Sequence, residues 1–129
     1  MLGDSKGSVI HVIDDEAEIV SVVAKSLETN GYQVHSFNDS SMGLEDILVK
    51  CKEDVGIVIT GIRMSGYNGF EIARKTRAML PHVPIVFMTS FEMNPSEFEK
   101  VFPSLTNVTL LKKPFHIEKL LAIVAKYGK

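Results

Sequence analysis

Two adjacent acids, Asp14 and Asp15, follow the apolar run Val9-Ile10-His11-Val12-Ile13, and other polar positions stand in the same relation to apolar runs of their own. Thr89 follows Ile85-Val86-Phe87-Met88, Lys113 comes after a run ending at Leu111 and directly before Pro114, and Gly61 closes a run that begins at Val55. Paired carboxylates suit a hard cation such as Mg²⁺, which takes oxygen ligands in octahedral array. A lysine suits negative charge gathering on an oxyanion. Gly61 contributes no functional group, so the chemistry depends on whether the other four side chains meet.

The elements that must position them follow from the pattern. The segment 55–59 is short, β-branched and free of alternation, as in a strand buried on both faces; 9–13 reads the same way, and further strands are predicted over 32–37, 85–88 and 108–111. A first helix is predicted from about 16 to 30, with Ile19, Val22, Val23, Ser26 and Leu27 on one face and Gly31 as its stop. A weaker one follows Asn38-Asp39-Ser40 through Leu44, Ile47, Leu48 and Cys51. Asn68 and Glu71 suit an N-cap pair for a third helix carrying Phe70, Ile72, Ala73 and Leu80. Asn94-Pro95-Ser96-Glu97 opens a short fourth through Phe98, Val101 and Phe102, which Pro103 ends, and the last covers 116–127 with Leu120, Leu121 and Val124.

Strands alternating with helices call for a parallel sheet covered on both faces, because parallel neighbours need right-handed crossovers. Such sheets bind ligands beyond the carboxyl ends of their strands. Asp14, Asp15, Gly61, Thr89 and Lys113 therefore converge on one sheet edge. With 129 residues, 45% of them hydrophobic, and neither repeat nor linker, the chain reads as one domain, 1–129, with an ordered core of about 8–127.

Composition excludes several classes. A net charge of −2 gives no general attraction to nucleic acid. No stretch of ~20 apolar residues and no secretory leader is present, so a cytoplasmic location without membrane contact is expected. The one cysteine, Cys51, cannot form an internal disulfide and reads as an ordinary reduced thiol. The histidines at 11, 35, 82 and 116 lack metal-ligand spacing, which favours core or surface roles over a zinc site. A flavodoxin-type cofactor enzyme on the same topology would need a hydroxyl- and glycine-rich phosphate loop where Asp14-Asp15-Glu16 stands.

The run Ile62-Arg63-Met64-Ser65-Gly66-Tyr67-Asn68-Gly69 resembles the phosphoacceptor loop of response-regulator receiver domains, in which a strand ends in Asp and continues as Ile-Arg-Met-Pro-Gly-Met-Asp-Gly. Ile62, Arg63, Met64, Gly66 and Gly69 match and Asn68 is a near match, whereas Ser65 replaces the family's Pro and Gly61 its acceptor Asp. The resemblance covers nearly the whole chain and implies a flavodoxin-like (βα)5 fold: a doubly wound, five-stranded parallel sheet with helices on both faces. It implies that Asp14, Asp15 and the backbone carbonyl of Arg63 hold Mg²⁺, that Thr89 bonds a phosphoryl oxygen, and that Lys113 pairs with the phosphoryl group through a loop whose bond to Pro114 is commonly cis. The aromatic switch position falls on Leu110, a second departure.

The resemblance thus implies a receiver domain of a two-component phosphorelay system that, with Gly61, takes up no phosphoryl group, binds Mg²⁺ weakly or not at all, and acts without enzymatic activity as a protein interaction module. Its implied partners are a sensor histidine kinase, a phosphotransfer protein or an output partner. They would use the face of the fourth helix, fifth strand and fifth helix, with Phe98, Val101, Phe102 and Lys112, a face that also serves homodimers. The other account is an ordinary phosphoaccepting receiver whose native Asp at position 61 has been substituted. Both a single-domain protein and a piece of one with an output domain are compatible with the chain. The individual residues also have plain readings: Asp15 with Glu18 fits a helix cap, Thr89 and Lys113 are ordinary at a strand end and in a loop, and Gly66 and Gly69 serve turns. Thr60 and Ser65 are poor stand-in acceptors, since alternation turns Thr60 away and a hydroxyl needs a base.

Overall fold

The computed structural model describes residues 8–50, 52–90 and 107–128. Its strands are β1 (Val9–Ile13), β2 (Gln33–Phe37), β3 (Val55–Gly61), β4 (Ile85–Thr89) and β5 (Val108–Lys112), all parallel and ordered β2-β1-β3-β4-β5. Between and after them run α1 (Ala17–Thr29), α2 (Ser40–Glu45), α3 (Gly69–Met79) and a C-terminal helix (Ile117–Gly128). β1 passes to one side of the sheet through β2 and the chain then returns to the other side through β3, which makes the β1/β3 edge the switch point where such sheets open a crevice. The expected fold is the one formed. The cap at Asn94 and the residues Cys51, Phe98, Val101, Phe102 and Pro103 lie outside the described residues.

The three central strands, β1, β3 and β4, are buried on both faces. On one, Val20, Val23 and Leu27 of α1 and Leu120 and Val124 of the C-terminal helix cover Ile10, Val12, Ile57, Ile59, Val86, Met88 and Leu111. On the other, Leu44, Ile47, Ile72 and Ala73 cover Ile13, Val55, Val58, Ile85 and Phe87. Each such aliphatic side chain contributes ~1.5–3 kcal/mol when fully buried. Val22, grouped with the inner face of α1 by its spacing, is 54% exposed, because the buried stripe of the helix runs through Val20, Val23, Ala24 and Leu27 and leaves Val22 outside it.

Val55 and Ile57 are two residues apart in one strand yet enter opposite cores. The register explains this: Val9 of β1 pairs with Val55 and Ile10 pairs with Ile57, so Gly56 is an extra residue with no opposite number. Such a bulge shifts the alternation by one position.

Local signals set the helix ends. Gly31 follows α1 with φ +91°, a conformation glycine adopts without strain. Asn68 caps α3 reciprocally: its side chain accepts from the Glu71 amide at 2.9 Å, and the Glu71 carboxylate accepts from the Asn68 amide at 2.8 Å. Asn68→Ala is expected to cost about 1 kcal/mol, read as a lower urea midpoint with an unchanged slope. α2 is short. Asp39 caps it by accepting from Met42 N, and after Glu45 the chain widens into a π-turn (Asp46–Lys50) and then a 3₁₀ turn (Lys52–Asp54), in place of the continuous weak helix that the sequence predicts.

Candidate functional site

Asp14, Asp15, Thr89 and Lys113 do meet. With Glu16 and Arg63 they line one cleft of about 200 Å³ at the carboxyl edge of the sheet, beside the switch point. β1 delivers Asp14 with 2% of its surface exposed, and β4 delivers Thr89 with 5%. Lys113 follows β5 in a loop held by its own amide, which donates to the Thr89 carbonyl at 2.6 Å, and by a cis bond to Pro114. Its ammonium lies 2.6 Å from Glu16 Oε1 and 3.0 Å from Asp14 Oδ2. The contact to Glu16 is the aligned hydrogen bond, whereas Asp14 Oδ2 has charge proximity to Lys113 without a well-directed donor. Burial alone would lower the Lys113 pKa, but the two carboxylates outweigh it and hold the ammonium above the ordinary lysine range.

Asp14 Oδ1 accepts from the amide of Glu16, at the N-cap of α1. Asp15 does not cap α1 with Glu18: Glu16 is the N-cap residue, and Asp15 Oδ2 instead accepts from the amide of Ser65 at 2.9 Å, tying the loop after β3 to the loop after β1. Glu16, which in the sequence marks only the start of a helix, belongs to the cleft. Its side chain turns back to Lys113 because no cap bond holds it.

Gly61 ends β3 against this cluster. A Cβ at this position would lie 2.6 Å from Asp14 Oδ2 and 2.9 Å from its Cγ, so Asp14 fills the space a side chain on residue 61 would need. The obstacle is the carboxylate alone: among the described glycines only Gly31 and Gly66 have positive φ. On the next turn of the loop, a Cβ at Gly69 would collide with the Gly61 carbonyl, which lets α3 dock directly on the end of β3; the Gly69 amide donates to the Ile62 carbonyl at 2.8 Å. Gly69→Ala is accordingly expected to lower the unfolding midpoint more than Asn68→Ala does, since backbone atoms must shift to admit the methyl group.

The remaining candidates fall outside the cleft. Thr60 is fully buried, its hydroxyl donating to the Gly61 carbonyl at 2.9 Å. Ser65 lines a neighbouring hollow with Asp39 and Ser40. Leu110 pairs in register with Phe87 and packs on the second core.

A second polar cluster has no counterpart among the sequence expectations. His11 and His35 are register partners on β1 and β2, and both contact Asp46 of the π-turn: His11 Nε2 and His35 Nδ1 each lie 2.8 Å from Asp46 Oδ2. No sequence spacing signals a cluster drawn from three elements, although two histidines at the third position of consecutive strands are a faint pointer to it. Burial pushes the His11 pKa below its ordinary 6.5, more than Asp46 restores it. The Asp46 carboxyl is raised by burial but lowered further by His35 and His11, with a net depression from 3.8. A depressed histidine is protonated more readily in the unfolded chain, so stability is lost as pH falls through 6.5. The Asp46 contribution, present above 3.8, is lost as pH falls through its lower folded value. In metal-free buffer the urea midpoint is expected to drop between about pH 7 and about pH 5.5, and to drop less in His11→Gln.

Comparison with known proteins agrees with the fold. Residues 10–125 match the family model of the response regulator receiver domain. The heme response regulator HssR of Staphylococcus epidermidis is 29% identical over 120 residues, covering 90% of this chain and 51% of its own. The transcriptional regulatory protein FixJ of Bradyrhizobium diazoefficiens is 30% identical over 115 residues, covering 89% of this chain and 54% of its own. The chain thus spans about half the length of these curated relatives. The Vibrio cholerae chemotaxis protein CheY4 superposes with a TM-score of 0.79 at 24% identity over 93% of this chain and 98% of that one, a likeness of fold. No described helix is long and apolar enough to cross a membrane. With the family's model spanning all five strands and the strand-end residues gathered in one cleft, the chain belongs to the response regulator receiver domains.

Proposed function

We propose that this chain, acting as one receiver unit over 1–129, is a receiver of a two-component system that takes up no phosphoryl group, and that it signals by binding a sensor histidine kinase, a phosphotransfer protein or an output partner. The observation that carries this reading is the position of Asp14. At the place where the family holds its acceptor, Gly61 offers no nucleophile, and Asp14 Oδ2 stands within 2.6 Å of where a Cβ would be, paired at 3.0 Å with Lys113. The cation that would meet a transferred phosphoryl group is already engaged by Asp14 and Glu16.

The same geometry fits Mg²⁺ poorly. Mg²⁺ needs near-octahedral oxygen ligands, but residue 61 adds no carboxylate and the Lys113 ammonium already lies 3.0 Å from Asp14 Oδ2, while Asp14 Oδ1 and Asp15 Oδ2 are drawn onto the Glu16 and Ser65 amides. Lys113 occupies the electrostatic place of the metal. Weak Mg²⁺ binding is the expectation, and sub-millimolar affinity in a titration contradicts it.

The direct test is incubation with a small-molecule phosphodonor and an intact-mass measurement, beside a Gly61→Asp version. Uptake by the Asp version alone supports the proposal, and uptake by the chain as it stands overturns it. A second reading, a phosphoaccepting receiver whose natural residue 61 is Asp, draws on the retention of Asp14, Asp15, Thr89 and Lys113 around one cleft. The codon for residue 61 in the encoding gene decides between the two.

A further inference from the structure

Away from the carboxyl edge, we propose that His11, His35 and Asp46 form a site for a single divalent transition-metal ion of the Zn²⁺ class. The β1/β2 register sets the two imidazoles side by side, with ring centroids 5.3 Å apart and planes at 68°. The π-turn beginning at Asp46 carries a carboxylate to both of them, and such turns recur where a side chain must be placed off the regular helical path. One potential ligand atom from each residue lies within 4.8 Å of the other two. Two of these separations are the 2.8 Å contacts to Asp46 Oδ2. Zinc bonds of ~2.0–2.1 Å in tetrahedral array place ligand atoms about 3.3 Å apart, so on binding the two Asp46 contacts open by about half an ångström and the two imidazole nitrogens, within 4.8 Å of each other, settle to the same spacing.

Burial is graded as a three-ligand site requires. The His11 side chain is fully enclosed, that of Asp46 is 13% exposed and that of His35 33%, so solvent reaches the cluster from the His35 side. Imidazole with carboxylate selects transition ions over Mg²⁺ or Ca²⁺, which prefer all-oxygen sites. Both rings converge on one carboxylate oxygen, which gathers the two imidazoles around the point an ion would take.

The test is a Zn²⁺ titration of the intact chain against a chromophoric chelator at about pH 7.5, with excess Mg²⁺ present to occupy carboxylate-only sites. One ion per chain is expected, with a dissociation constant on the order of micromolar or tighter. His35→Ala and Asp46→Asn are each expected to weaken binding at least tenfold, and His82→Gln to leave it unchanged. Because loss of a cluster residue could also perturb folding, the unsubstituted chain gives an independent readout: Zn²⁺ should shift the imidazole NMR signals of His11 and His35 and not those of His82 and His116. Absence of stoichiometric binding, binding that survives His35→Ala, or shifts confined to His82 or His116 overturns the site.

Discussion

Replacing Gly61 with Asp is expected to raise Mg²⁺ affinity by at least ~10–100-fold, since even an outer-shell partner is worth that much and the new carboxylate would be a direct ligand. The expected cost appears in metal-free buffer. The new Cβ alone would come within 2.9 Å of Asp14 Cγ and 2.6 Å of its Oδ2, so Asp14 must swing away and give up its position near Lys113. With Asp15 and Glu16 already lining the cleft, a further carboxylate there is repelled until a cation arrives. The substitution should therefore lower stability by about 1–3 kcal/mol in the presence of a chelator, and millimolar Mg²⁺ should restore it by mass action. Urea unfolding with and without Mg²⁺ reads both effects. A variant as stable as the parent without metal, or indifferent to metal, would show that Asp14 is not what closes the pocket.

The largest loss of stability is expected from Phe87→Ala. Phe87 is fully buried in the core between β4 and the α2/α3 layer, and its ring meets Phe70 edge to face at 5.4 Å and 80°. Truncation of a buried phenylalanine costs ~3–5 kcal/mol through lost transfer energy and the cavity left behind, and the ring pair adds ~0.5–1.5 kcal/mol. Domains of this size have only ~5–15 kcal/mol in total, so the variant should sit near its unfolding threshold at physiological temperature. Phe87→Leu, which keeps most of the volume, should cost less than half as much. A loss under about 1 kcal/mol for the alanine variant would mean that α3 collapses readily onto the sheet.

How much of the molecule is legible in its sequence depends on the range of the interactions. The strands, Gly31 and the Asn68–Glu71 cap are legible because they rest on neighbours within a few residues. The meeting of Asp14, Thr89 and Lys113 is legible because parallel topology brings all carboxyl ends to one edge. The way the cleft closes is not. That Asp14 leans into the space beside Gly61 and Glu16 folds back on Lys113 depends on rotamers chosen when a neighbouring side chain is missing, which no local pattern encodes. The His11–His35–Asp46 cluster requires the β1/β2 register and a π-turn, neither of which has a periodic signature here.

The unpaired Gly56 has a consequence for what fixes the position of the cleft. From Ile57 onward β3 is locked to β1 residue by residue up to Thr60 opposite Ile13, so the address of Gly61 is counted from the sheet and not from the preceding turn. The cleft thus takes its coordinates from the β1/β3 pairing, whatever offset Gly56 introduces before it.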